Sequence, residues 1–501
     1  MRRASHTLFI TQELLPFHAT GGMAVLSRDL PEALNREGWQ HSTLLPFIEG
    51  VSNLPPGTSP EILLERSVRV GSEEYPYRVL VLHRSHHLGD VYLVEQDTLF
   101  SGQLYNDAHR LARNVVIGDA ALALLERESS DFALVHALDQ LSALSLAYIR
   151  ALTGHRYGLV FNILSAEYDF ALGPLIAAID FDRREEVKRM AGDGLPDMSA
   201  IELGMVAGDT TVTSSPAYAD ELGEKYGNGA LAKAELVGIN QGIDVAVWDP
   251  MASDRLFAPI HVETLEADKL ANRMRLEDFL VGQPRFLETS PATDGALSAQ
   301  HPGQFPPLLS FIGRFCRAKG RAALYLLLDR LKEFPDARLV FVIPKGSLSY
   351  VDLKKLEDRA YAEPRLRVIN DYDQSFAELV FAASDFVLMP SEQEPGGLCQ
   401  KMAMRFGTLP LVTPAGGLRT SVTDLWEANN EGNGFVSHTT DPESYLDMLG
   451  RVLALSRDDP LLAQGRRQAM ATDVSWQKTV ADYVAIYETL DRKARSAQLP
   501  V

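Results

Sequence analysis

Cysteine is nearly absent: Cys316 and Cys399 are the two thiols in 501 residues. They cannot build a disulfide framework, and the shortage fits a reducing, cytoplasmic compartment. Neither a C-x-x-C nor an H-E-x-x-H pattern occurs, so no metal is expected. Long apolar runs are missing too. Nothing approaches the ~20 residues that cross a membrane. The first apolar run, Leu8–Phe9–Ile10 beside Thr7 and Thr11, is too short for the core of a signal peptide and reads as a first β-strand. Positive charge is the scarcer sign. With 48 Lys and Arg against 67 Asp and Glu, the formal charge is −19. Such a surface repels phosphate backbones and argues against a nucleic-acid partner. An anionic small substrate would need a local basic pocket. Internal repeats and low-complexity tracts are also lacking.

What is present is an ordinary globular composition, 46% apolar and 23% charged. The length exceeds one ordinary core at ~100–200 residues per domain, so two domains are expected. Short apolar runs alternate with amphipathic helical stretches. The runs at 134–138, 157–164 and 209–215 in the first half, and 308–313, 337–344, 385–390 and 409–414 in the second, read as buried strands. This alternation implies parallel sheets with right-handed crossovers. The expected division is 1–245 and 246–472, followed by a final segment 473–501. The polar, Gly/Pro-rich stretch 282–307 reads as a surface insertion. Ligands of doubly wound sheets bind beyond the carboxyl ends of the strands, so the default site is the cleft between two such domains.

Four loops carry residues suited to chemistry. After the first strand, Gly21-Gly22 precede a helical pattern and let backbone N–H groups approach an anion. In "GRFCRAKG", Gly313 is followed by Arg314 and Lys319, two cations five residues apart that suit a diphosphate. In "PSEQEPGGLCQKMAMRFG", Glu394-Pro395 precede Gly396-Gly397-Leu398 and a helix over 398–406 that stops at Gly407. A third glycine pair, Gly416-Gly417, again separates a strand from a helix. Each has an ordinary explanation: a tight turn, solvated surface charge, or, for Glu394, a helix-dipole partner at roughly 0.3–1 kcal/mol. Three glycine pairs and a cation pair together suggest a ligand with a diphosphate and several hydroxyls, a nucleotide sugar.

These motifs resemble those of the glycogen and starch synthases, retaining glycosyltransferases of the GT-B fold. "GGMAVLSRDLPEAL", "AGDTTVTSSPAYADEL", "GINQGIDVAVWDP", "GRFCRAKG", "PSEQEPGGLCQKMAMRFGTLPLV" and "GGLRTSVTD" stand in the family's order, and "DVSWQKTVADYVAIYETL" is similar to its last helix. The resemblance implies two doubly wound Rossmann-like α/β domains facing a central cleft, with the C-terminal helix returning to the first. It implies that Arg314 and Lys319 neutralise a departing diphosphate and that Glu394 contacts the donor sugar. Gly21, Gly22, Gly313, Pro395 to Leu398, Gly416 and Gly417 would line the donor pocket. It implies front-face attack with the leaving phosphate taking the acceptor's proton, and no cofactor beyond the nucleotide-sugar substrate.

The departures lie in the first half. Ala19 and Val25 stand where the family has lysine and aspartate, with His18 adjacent. Asn162, or Phe161 with a one-residue gap, replaces the sugar-facing histidine, and Glu167 stands at the following glutamine. Asp139 is kept but Leu138 replaces its neighbouring histidine, and Gln241 stands for asparagine. His18, Asp139, Asn162, Glu167 and Gln241 are therefore the candidates for sugar and acceptor contacts. Because these positions differ, the leading expectation is transfer of an unusual, possibly GDP-linked, sugar to a small-molecule acceptor in a specialised or antibiotic pathway. The alternatives are an ADP-glucose-dependent α-glucan synthase and an inactive sugar-nucleotide-binding regulator. Oligomeric state is left open.

Overall fold

The computed structural model describes residues 6–83, 89–101, 109–128, 132–227, 235–289, 305–427, 431–456 and 459–497. The chain forms two compact units, Met1–Gln241 with Trp476–Val501, and Gly242–Ser475. The boundaries lie a few residues from the expected 245/246 and 472/473. Ile243 explains the shift: its N–H bonds to the Val474 carbonyl at 2.9 Å, and it pairs with Ser475 as a parallel bridge, tying 242–245 to the second unit.

The first unit holds strands β1 (His6–Ile10), β2 (Gln40–Pro46), β3 (Glu61–Val70), β4 (Glu73–Leu82), β5 (Asp90–Glu95), β6 (Phe132–Leu138), β7 (Gly158–Ile163), β8 (Thr210–Thr213) and β9 (Glu235–Gly238). Their order is β3-β4-β5-β2-β1-β6-β7-β8-β9. From β5 to β9 the neighbours pair in parallel. The edge departs from the all-parallel expectation, since β3–β4 and β4–β5 are antiparallel. A tight turn at Gly71, with φ 62°, reverses the chain. β3 is mostly exposed and polar, so it shows no buried apolar run.

Helices cover both faces of this sheet. Arg110–Arg127, Ala143–Thr153 and Ala200–Ala207 pack on one. Gly22–Arg36 and the C-terminal helix Trp476–Ala497 pack on the other, over Phe9, Leu134, Leu138, Val160 and Val212. At Gly158 a Cβ would lie 2.7 Å from Leu490, so the absent side chain lets this helix approach the sheet. A buried hydrogen bond of 2.7 Å joins His136 Nδ1 to the Tyr487 hydroxyl. Burial pushes the His136 pKa down to about 3, so the ring is neutral. Tyr487→Phe is expected to cost about 1–2 kcal/mol by orphaning that nitrogen, read as a lower denaturation midpoint at unchanged m-value.

The second unit holds β10 (Phe286–Leu287), β11 (Leu308–Ile312), β12 (Arg338–Val342), β13 (Leu366–Ile369), β14 (Phe386–Met389), β15 (Leu409–Val412) and β16 (Phe435–Val436). Their order is β10-β13-β12-β11-β14-β15-β16, parallel throughout. The expected insertion 282–307 needs correcting at its start. Phe286 and Leu287 pair with Val368 and Ile369, making an edge strand too short to stand out as an apolar run. Residues 290–304 of that stretch lie outside the described residues. The winding direction reverses between β1 and β6 in one sheet and between β11 and β14 in the other. Crevices at such switch points are where doubly wound sheets hold ligands.

Candidate active site

In the second unit, the loops after β11, β14 and β15 interlock at the switch point. Beyond β11, the Gly313 N–H bonds to the Val342 carbonyl at 3.0 Å, and half-buried Arg314 follows. A single turn, Arg317–Lys319, then leads through Gly320 into helix Arg321–Asp329. Gly320 has φ 77°, and a Cβ there would lie 1.8 Å from the Pro390 carbonyl oxygen. The backbones are clipped together, since Glu392 and Gln393 N–H both donate to the Ala318 carbonyl at 2.9 and 3.1 Å. The result is a direct ion pair. Lys319 Nζ donates to both Glu394 carboxylate oxygens at 2.6 Å, and Ser391 Oγ donates to Oε2 at 3.0 Å. Glu394 is 4% exposed, while a quarter of the Lys319 side chain reaches solvent. The carboxylate therefore takes an ammonium and a hydroxyl, which goes beyond compensating a helix dipole.

The third loop packs under the second. The Gly417 N–H bonds to the Glu394 carbonyl at 2.8 Å. A Cβ on Gly416 or Gly417 would lie 2.3 Å from the Glu394 oxygen or 2.4 Å from the Gly396 oxygen. Gln400 Nε2 spans the carbonyls of Gly396 and Gly397 and the Ser421 hydroxyl. Pro395 lies in this crossing, and Leu398 caps the following helix, Cys399–Arg405, slightly shorter than the expected 398–406. Burial and then the Glu394 charge push the Cys399 thiol up to about 12, which leaves it neutral and no nucleophile. Tyr372, in the loop after β13, is 44% exposed and lies near Cys399. A partly exposed aromatic side chain near this loop cluster is of a kind that suits a nucleobase.

In the first unit, Glu13 organises the loop after β1. Its carboxylate accepts Thr20 N–H and Thr20 Oγ at 2.6 Å and Gly21 N–H at 3.3 Å, just before helix Gly22–Arg36 begins. His18 is buried, with Nδ1 2.8 Å from Ser52 Oγ and Nε2 2.6 Å from the Gln12 carbonyl. Burial lowers its pKa. As a candidate sugar contact or cation His18 is corrected: it is a neutral ring with both nitrogens used inside its own loop.

Asp139 follows β6 and Asn162 is the last residue but one of the adjacent β7, where the Asp139 N–H bonds to the Asn162 carbonyl at 2.8 Å. Asn162 is 1% exposed, and neither atom of its amide has a hydrogen-bond partner. Its aligned neighbour is Leu138. Phe161 faces the apolar core on the opposite side of the sheet. Gln241 is buried at the edge of the unit, its N–H 3.4 Å from the Ser214 carbonyl. Glu167 is exposed on the turn Ala166–Tyr168, and among the described residues nothing links it to Asp139 or Asn162.

Comparison with known proteins places this geometry. Residues 6–234 match the family model described as the starch synthase catalytic domain, and residues 299–469 match glycosyl transferases group 1. Among similar proteins are a glycogen synthase of Exiguobacterium sibiricum, 27% identical over 96% of this chain and 98% of that one, and glycogen synthase 2 of Bradyrhizobium diazoefficiens, 28% identical over 98% and 99%. The chain belongs to the glycogen and starch synthase family of glycosyltransferases. Its fold matches the catalytic domain of starch synthase IV from Arabidopsis thaliana, solved with ADP and acarbose, at a TM-score of 0.80, 20% identity and coverage of 98% of this chain and 100% of that one. A sucrose-phosphate synthase of Thermosynechococcus elongatus matches at 0.61, 16% identical over 97% and 99%. GT-B is thus the fold of this family member. Among its described residues, no helix is long and apolar enough to cross a membrane.

Sequence reasoning missed Glu13, Ser391 and Tyr372. A signal existed for Glu13, a lone charge between a strand and a glycine pair, but none for Tyr372 in a polar loop. Asp139 offers a test on this synthase-family chain. It has φ 64°, the one positive value for a non-glycine among the described residues. Burial raises its pKa to about 7 against backbone N–H bonds that lower it. Between about pH 4 and 7 the folded state keeps a proton that the unfolded state has lost, so this group makes stability fall as pH rises through that window. Asp139→Asn is expected to flatten the slope by at least about 1 kcal/mol, one pKa unit's worth, in denaturation at pH 5 and 7.5.

Proposed function

We propose that the protein transfers a glucosyl group from ADP-glucose to an α-glucan chain with retention of configuration. The bond between the anomeric carbon and the diphosphate oxygen breaks, and a bond from that carbon to an acceptor hydroxyl oxygen forms. The acceptor proton leaves on the departing phosphate. The observation that carries this reading is the Lys319–Glu394 pair at the switch between β11 and β14. A departing diphosphate gains negative charge, so a prepositioned ammonium stabilises the transition state more than the ground state. With donor bound, Lys319 and Arg314 face the diphosphate and Glu394 accepts a sugar hydroxyl. Tyr372 supplies a face for the base. Cations do this work, and the scheme calls on no metal.

End-to-end similarity to glycogen synthases supports the glucan acceptor over the small-molecule acceptor that the first-half substitutions suggested. Asn162 is the observation that favours the latter, because a buried amide without a partner selects for a group able to meet it. Purified protein given ADP-glucose and maltodextrin is expected to lengthen the chains. Turnover of GDP-, UDP- or dTDP-sugars with small acceptors alone would hand the assignment to the second reading. ADP at 100 times its Kd is expected to stabilise the fold by about 2.7 kcal/mol in thermal unfolding.

A further inference from the structure

A cavity of about 610 Å³ opens on the second unit beside the catalytic loops, yet neither Lys319 nor Glu394 lines it. Its walls carry Arg317, Arg321, Tyr325, Asp352, Lys355 and Glu392. Three cations face two carboxylates there, on a chain whose net charge is −19. Arg317 pairs with Glu392 at 3.0 Å, and Arg321 with Asp352 at 2.8 Å. The Tyr325 hydroxyl donates to the other Asp352 oxygen at 2.8 Å. Lys355 differs from the arginines. Among the described residues it has no carboxylate partner, and its ammonium sits 5.7 Å from the centre of the Tyr325 ring. The helices Arg321–Asp329 and Tyr350–Ala362 both present their first turns, adding partial positive charge.

We propose that this cavity binds a phosphorylated small molecule, with its phosphate between Lys355 and the two arginines and its hydroxyls on Asp352 and Glu392. The volume suits a sugar phosphate, within the ~300–1,000 Å³ of small-ligand pockets. Arginine forks grip phosphate oxygens bidentately, the lysine adds a compact charge, and the carboxylates accept hydroxyl hydrogens. Arg317 is two residues from Lys319 and Glu392 two from Glu394. An occupant would therefore span the two loops that hold the catalytic pair together. The site does not depend on the donor assignment.

The experiment is calorimetric titration of glucose 1-phosphate into the full chain, with ADP first titrated alone and then held at saturation. Wild type is expected to bind one equivalent with ADP present. Lys355→Glu is expected to weaken that binding at least tenfold at an unchanged unfolding midpoint, since Lys355 supports no ion pair. Inorganic phosphate in place of the sugar phosphate is expected to show the same dependence on Lys355, and neutral maltotriose none. Binding that ADP abolishes, or that Lys355→Glu leaves intact, overturns the proposal. Failure of ADP itself to bind registers against the donor reading alone.

Discussion

Lys319→Ala is expected to lower kcat/KM about a hundred- to a thousand-fold, the usual loss when one prepositioned charge at a developing anion is removed. The same change strands Glu394, 4% exposed, with Ser391 as its remaining side-chain partner among the described residues. Breaking a fully buried pair costs about 3–5 kcal/mol. Because a quarter of Lys319 reaches solvent, about 2 kcal/mol is expected here. The double variant Lys319→Met with Glu394→Gln separates the two effects. Neutralising both partners is expected to recover most of the stability and none of the turnover, and a double-mutant cycle in urea gives the coupling. A protein that merely binds sugar nucleotides would lose affinity in Lys319→Ala but have no turnover to lose. Steady-state rates on a donor the wild type consumes decide between these.

Gly320→Ala is expected to destabilise the second unit by at least about 3 kcal/mol and to remove activity with it. Its φ of 77° resists an L side chain, and the added Cβ would overlap the Pro390 carbonyl oxygen at 1.8 Å. Relief would require the loops carrying Lys319 and Glu394 to part. Gly21→Ala is the contrast. Gly21 has φ −173°, and a Cβ there meets nothing within 4 Å. It is expected to shift stability by no more than ~0.5 kcal/mol. Equal midpoints for Gly320→Ala and Gly21→Ala in thermal unfolding would refute the interlocked-loop picture.

That contrast bears on how much was legible in the residues. The buried strands β1, β6, β7, β11, β12, β14 and β15 are short apolar runs and could be read directly, and β8 could be read from its β-branched Thr-Thr-Val-Thr. The edge strand β3 and the two-residue β10 could not, because exposed or very short strands bury too little apolar surface to leave a run. β4 does end in a buried apolar run, 79–82, but its mostly polar and exposed first half obscures it. Glycine pairs at 21–22, 396–397 and 416–417 look alike in one dimension. In space, Gly416 and Gly417 are steric necessities of a loop crossing and Gly21 is not. His18 drew attention for its position beside a motif, yet its hydrogen bonds turn both nitrogens inward.

By itself the sequence determined the two-unit α/β architecture, the family, and the identity of Arg314, Lys319 and Glu394 as candidates, because periodic burial and motif spacing are properties of one dimension. Only the tertiary structure decided that Lys319 and Glu394, 75 residues apart in the chain, meet at 2.6 Å, and that the side-chain amide of Asn162 is buried without a partner. The winding reversal between β11 and β14 makes the difference. It sets two loops from distant parts of the chain side by side, where backbone carbonyls and the absence of side chains at Gly320, Gly416 and Gly417 hold them in contact.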